Sequence, residues 1–250
     1  MAYMDFSGVQ TWAARVETTL RDTLAREASG HDVEHAFRVR NLAVKLAAVA
    51  GADLQVVEAT ALLHDVGHLM GREDHAANGA AFAGEFLVQS GFPREKIHAV
   101  VGCIQRHHWK PGNAGDPLNP SLEYQVFADA DRLDAIGAIG IARAFAFGGA
   151  HGRPIWTTGE ASERDAAYGR SSVHHFYDKL LQLDVGMYTA VARRLAARRS
   201  AILKDYLKSF FDEWELRDFD APARATHPTD ESVNESLVAA HHGARSENLV

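Results

Sequence analysis

His35, Val39, Leu42, Leu46 and Val49 recur at spacings of four, three, four and three, and this stripe constrains the fold more than any other feature of the chain. Such spacing lays an apolar face along an α-helix, and here the face carries a histidine. Gly51 is placed to end that helix and Asp53 to cap a second, in which Leu54, Val57, Ala61, His64 and His68 share a stripe. Two successive helices thus turn imidazoles toward an apolar interior, where a polar group must find a partner.

The helical pattern continues along the chain. Ala76 to Val88 reads as helix, and Gly91 followed by Pro93 starts another from Arg94 to His107. The segment KPGNAGDPLNPS, Lys110 to Ser121, is a loop by its Gly, Pro and Asn content. From Glu123 to Phe147 an Ala-rich apolar stretch places Phe127, Asp131, Asp134, Ala138 and Phe145 on one side, turning two carboxylates inward. A loop from Gly148 to Arg170 precedes two helices, Ser172 to Leu183 and Gly186 to Glu215. No alternating β-branched run demands a strand and no repeat is evident. The expectation is an all-α helical bundle formed by residues 1–216, with residues 217–250 a mobile tail, because apolar periodicity stops near Arg217.

Composition narrows the function. With 46% hydrophobic and 24% charged residues the chain is suited to one folded domain. Cys103 stands alone, which excludes an internal disulfide and a thiolate-rich zinc site. No stretch has signal-peptide character or the roughly 20 apolar residues of a membrane span, so a cytoplasmic protein without membrane contact is expected. A net charge of −7 disfavours a nucleic-acid polymer as partner. A small phosphorylated substrate remains compatible, since a bound cation and local basic side chains override the overall sign. Self-association into a homo-oligomer is equally compatible.

The 14 histidines are clustered rather than scattered, which points to metal or acid–base chemistry. A lone histidine on an apolar face reads as a hydrogen-bonded core residue. Here Asp65 follows Leu62, Leu63 and His64, and Asp131 lies in an Ala-rich helix; burying either carboxylate without a cation is costly. His35, His64, Asp65 and Asp131 are therefore the candidate ligands of a divalent ion. Adjacent His64 and Asp65 diverge by about 100° around a helix, so the set needs ligands from other helices.

The segments HDVEHAFRV from His31, LLHDVG from Leu62 and ADADRLDAIGAIG from Ala128 resemble the HD-domain phosphohydrolase superfamily, whose signature is H…HD…D. The third segment, with SVHHFYDKLL from Ser172, is similar to the bacterial YedJ-like branch, which includes nucleoside triphosphate diphosphatases; the likeness spans roughly residues 20 to 215. The resemblance implies that His35, His64, Asp65 and Asp131 bind manganese or magnesium, and that an activated water attacks phosphorus in a nucleotide or similar metabolite. Arg38 and Arg132 match basic positions beside the motifs and, with Lys110, are candidates for substrate binding. The histidine-rich stretches at 64–68, 74–79 and 106–108 also resemble dinuclear HD-type di-iron oxygenases. On that pattern His75 and either His107 or His108 hold a second ion bridged through Asp65, with one or two irons and a small polar substrate. Otherwise His75 decorates a helix start and His107 and His108 end a helix. His107 is also suited to donate a proton to a leaving oxygen, and His68 is either a substrate-side acid–base group or an exposed side chain. His174 and His175 read as structural residues. Arg143, Arg153 and the run RRLAARR at 193–199 read as solvated charge.

Overall fold

The computed structural model describes residues 11–24, 27, 29–67, 75–107, 120–157 and 171–219, and among them every regular element is helical. In chain order these are α1 (Trp12–Thr23), α2 (Val33–Ala50), α3 (Leu54–Leu63), α4 (His75–Ser90), α5 (Arg94–Gln105), α6 (Leu122–Asp134), α7 (Gly137–Ala150), α8 (His174–Asp178), a 3-10 turn (Leu180–Gln182) and α9 (Ala190–Trp214). Among the described residues no single helix is long and apolar enough to cross a membrane.

Local chemistry sets the boundaries that matter for function. Asp32 caps α2, its carboxylate accepting from the His35 amide at 2.8 Å, so the first turn of the helix is pinned where His35 sits. Gly51 closes α2 and Asp53 caps α3 through the Gln55 and Val56 amides. Unlike the expected longer stripe, α3 ends at Leu63, and His64 is its C-cap.

α2 is the central element, packed against α3 on one side and α6 on the other. Val16 and Leu20 of α1, Phe37 of α2, Leu62 and Leu63 of α3, Leu87 of α4 and Ile104 of α5 meet in a continuous core. Burying each such side chain contributes about 1.5–3 kcal/mol, which holds α2 and α3 rigid where they carry ligands.

Two predicted helices are broken. The stretch from Glu123 to Phe147 is not one helix: α6 and α7 meet at a 70° bend across Ala135 and Ile136. Gly137, at φ 76°, supplies the left-handed residue of this corner. The segment from Ser172 to Leu183 likewise divides into α8 and the 3-10 turn at Lys179, whose φ and ψ of −137° and −57° leave the helical region. The helix expected from Gly186 begins instead at Ala190, because the Asp129 carboxylate accepts from the Tyr188 and Thr189 amides at 2.7 and 2.8 Å and holds that segment non-helical. α1 has only Val16 and Leu20 fully buried, too short a pattern to stand out in sequence.

A compact unit extends to Tyr206, and a second begins at Leu207 within α9. The described part of the second unit carries its own ring stack, Phe210 on Trp214 at 5.6 Å. The expected tail lies, from residue 220 onward, outside the described residues.

Candidate metal centre

α2, α3 and α6 converge on one point. His35 comes from the first turn of α2, His64 and Asp65 from the end of α3, and Asp131 from the last turn of α6. The Nε2 atoms of His35 and His64 are 3.2 Å apart. Asp65 Oδ2 is 3.4 Å from His35 Nε2 and 3.2 Å from His64 Nε2. Asp131 Oδ1 is 3.6 and 3.8 Å from the same two nitrogens.

The outer nitrogens of both imidazoles are already used. His64 Nδ1 donates to the Ala61 carbonyl at 2.9 Å, and His35 Nδ1 to Asp134 Oδ2 at 2.8 Å. Each ring is thereby held in the tautomer whose Nε2 lone pair faces the centre. Two lone pairs cannot face each other at 3.2 Å unless a positive charge lies between them. Ligand atoms about 2.1 Å from a shared ion are separated by about 3.0–3.4 Å, so the donor set fits a divalent cation.

Electrostatics point the same way. Burial works against a charged His64, yet the Asp65 and Asp131 carboxylates overrule it and push its pKa up to about 9. Burial also opposes charge on Asp65, but His64 and hydrogen bonds from His31, His35 and His64 hold it well below the usual carboxylate range. Asp131 is lowered against burial by His64, His35 and His107. The pocket demands positive charge at its centre.

His107, at the end of α5, joins the group, its Nε2 3.6 Å from Asp65 Oδ1 and 4.0 Å from Asp131 Oδ2. His31 joins from the turn before α2, its Nδ1 2.9 Å from Asp65 Oδ2. Sequence reasoning missed His31; the available signal was its place one residue before the capping Asp32 and four before His35. The interior side is closed, with His35 and His64 at most 1% exposed, whereas Asp131 at 29% and His31 at 36% mark the open side.

A second unassigned residue holds His35 and two arginines in place. Asp134, read as inward-facing but given no role, accepts from His35, from Arg38 Nε and Nη2 at 2.9 and 3.1 Å, and from Arg143 Nη1 at 3.2 Å. Burial opposes its charge, but these partners hold its carboxyl far below the usual range. Arg143 also donates to the Gly30 carbonyl at 2.8 Å, tying down the turn that carries His31. The expectation of a solvated Arg143 is thus corrected: two acceptors draw it inward. Arg199 departs similarly from the wet face of 193–199 and donates to the Leu133 carbonyl.

Of the substrate-binding candidates, Arg38 commits two donors to Asp134, and Arg132 is buried, donating to the Gly186 carbonyl and lying over the Tyr188 ring. Lys110, His68 and His108 lie outside the described residues; His75 opens α4, and its side chain also falls outside them. His174 is buried and 3.0 Å from Asp178, in keeping with a structural role.

Comparison with known proteins accords with this geometry. The HD-domain family model matches residues 32–136. The YpgQ protein of Bacillus subtilis is 35% identical over 198 residues, spanning 78% of this chain and 90% of the relative. The chain belongs to the HD-domain superfamily. A Lactobacillus plantarum crystal structure superposes on this HD chain with a TM-score of 0.71 at 32% identity, covering 86% of this chain and all (100%) of the other. An HD-superfamily hydrolase from Bacillus thuringiensis superposes with a TM-score of 0.63 at 34% identity, covering 81% and 96%. The structure of YpgQ in complex with ADP gives a TM-score of 0.63 at 32% identity, over 80% of this chain and 97% of that one. The residues matched by the HD-domain model include His35, His64, Asp65 and Asp131.

Proposed function

We propose that this HD-domain chain is a metal-dependent phosphohydrolase acting on a nucleotide or closely related small phosphate. The observation that carries the reading is the pair of opposed imidazole lone pairs, 3.2 Å apart and flanked by two carboxylates, in a pocket open on one side. The ADP complex of the relative YpgQ supports the nucleotide class. His35, His64, Asp65 and Asp131 would hold manganese or magnesium, which when bound polarises a phosphoryl oxygen and makes water acidic enough to attack phosphorus.

The chain's own residues do the rest. Asp134 keeps the proton on Nδ1 of His35 and the Ala61 carbonyl that on Nδ1 of His64, so in each ring Nε2 is the nitrogen that gives up its proton to an arriving cation. His107, against the Oδ1 side of Asp65, is the group suited to protonate the leaving oxygen, and His31 lines the open side where substrate enters. Protein loaded with manganese, magnesium or cobalt is expected to release phosphate or pyrophosphate from a nucleotide panel, and His64→Ala to abolish turnover. A metal-loaded protein inert across the panel would overturn the reading.

A second reading rests on the two-sided use of Asp65. Its Oδ2 faces His31, His35 and His64 while its Oδ1 faces His107, an arrangement able to bridge two ions as in a di-iron oxygenase. Two irons per purified chain with oxygen uptake favours that alternative; a single manganese removes it.

A further inference from the structure

Among the described residues the imidazoles of the metal centre meet two phenyl rings, one on the closed side and one on the open side. Phe127 lies 5.3 Å from the His64 ring and 5.7 Å from that of His107, and it is fully buried. Phe147 of α7 stands edge-on to His31, the half-exposed imidazole of the open side, with ring centroids 6.2 Å apart. Phe147 is itself half-buried, and further planar groups gather on it. The His151 imidazole stacks on its ring at 4.0 Å and 21°, and the Arg153 guanidinium lies over the same ring at 5.1 Å. Arg153, expected as solvated charge, is thus drawn against an aromatic face. These groups are fixed by the backbone around them. His151 Nδ1 donates to the Phe147 carbonyl at 2.8 Å, and the Arg153 amide donates to the Gly148 carbonyl at 2.8 Å. His151 nevertheless remains exposed.

We propose that Phe147, His151 and Arg153 form a base subsite, a wall on which the planar heterocycle of a nucleotide stacks while its phosphates lie at the metal centre. An imidazole held by a hydrogen bond and a stacked ring loses little freedom when a second ring covers its outer face, so the gain from stacking is not offset by ordering. The wall is continuous with the centre. Asp65 Oδ2 meets His31 at 2.9 Å, His31 meets Phe147, and Phe147 meets His151. The step from His31 to His151 is of the same order as the ribose that separates phosphate from base in a nucleotide. Stacking reads the π-face that every base has, and a guanidinium beside the stack adds a planar cation suited to the same faces. The subsite therefore favours nucleotides over inorganic phosphates and tolerates different bases.

This inference rests on the phosphohydrolase reading, and a pair of ligands with and without the base separates the two. Calorimetry with manganese-loaded protein is expected to show the α,β-methylene analogue of ADP binding more tightly than methylenediphosphonate, which lacks the adenosine. His151→Ala is expected to bind the ADP analogue about 5- to 100-fold more weakly than the parent, with unchanged affinity for methylenediphosphonate and for manganese. His151→Trp is expected to recover the loss, and Phe147→Leu to behave as His151→Ala does. A ring that only supports the fold would weaken both ligands alike; that result, or an ADP analogue bound equally by parent and His151→Ala, overturns the subsite. Nucleotide turnover by a parent that prefers neither ligand overturns the subsite and keeps the phosphohydrolase reading. A preference for the base that needs His151, in a protein that hydrolyses no nucleotide, upholds the subsite and overturns that reading. If Phe147→Leu fails to fold, the two His151 variants decide, because that side chain is exposed.

Discussion

Asp134 shows how much one carboxylate outside the ligand set can control. It orients His35, neutralises Arg38 and Arg143, and through Arg143 steadies the Gly30 carbonyl beside His31. Asp134→Asn is expected to weaken manganese binding about 10- to 100-fold, because the amide no longer selects the His35 tautomer and two guanidinium groups lose their counter-charge. Titration of the purified variant with manganese tests this; unchanged affinity would refute the support role. His175 poses a separate test at the same scale. Burial, with the charges of Lys179, Arg153 and His174, pushes it down to about 4 from 6.5, so the imidazole is neutral in the native state. The unfolded chain takes up a proton between pH 6.5 and about 4 that the native state refuses. Stability is therefore undiminished above that window and declines as pH falls through it, by at most about 1.4 kcal/mol per unit. Urea unfolding at pH 7 and pH 5 is expected to show a smaller loss for His175→Gln than for the parent.

Among the elements, the corner between α6 and α7 is the most sensitive, because it delivers Asp131 and Asp134 on one arm and Arg143 on the other. Gly140 sits where an added Cβ would collide with the Ala135 carbonyl, a backbone atom that has no room to turn away. Gly140→Ala is expected to destabilise the protein by about 1–3 kcal/mol and to loosen metal binding as well. Gly149, further along α7, has open space around its Cβ position and serves as the control. Gly149→Ala is expected to be neutral or stabilising by about 0.5–1 kcal/mol, as helix propensity alone would have it. Thermal melts of the pair distinguish a steric corner from a merely flexible helix; equal effects would exclude the former.

For the whole molecule, a cation held at this centre would be a folding ligand as well. Ligands from α2, α3 and α6 come together only in the native state, so a cation binds that state and not the unfolded chain. At a hundredfold excess over Kd the stabilisation is about 2.7 kcal/mol, visible as a raised Tm on adding manganese and reversed by a chelator. A Tm indifferent to manganese would mean that the four side chains do not share an ion. Much of this architecture was legible in advance. The stripes that predicted α2 and α3, and the cap at Asp53, act within a few residues of themselves. The candidate ligands His35, His64, Asp65 and Asp131 stood out because charged or polar groups interrupted otherwise apolar faces. What escaped was long in reach: Asp134 meets His35 across 99 positions, and Arg143 meets Gly30 across 113.

The amino-acid sequence alone determined that the chain is helical, that imidazole and carboxylate lie on inward faces, and that this combination asks for a cation. Periodicity and burial cost are local quantities, and they can be read along one strand of text. Only the tertiary structure decided how the cations beside the motifs are engaged: Arg38, Arg132 and Arg143 are all basic residues near a motif. The clamping of these three guanidinium groups depends on which carboxylates and carbonyls the packing brings within about 3 Å of each, the range over which a charged hydrogen bond forms.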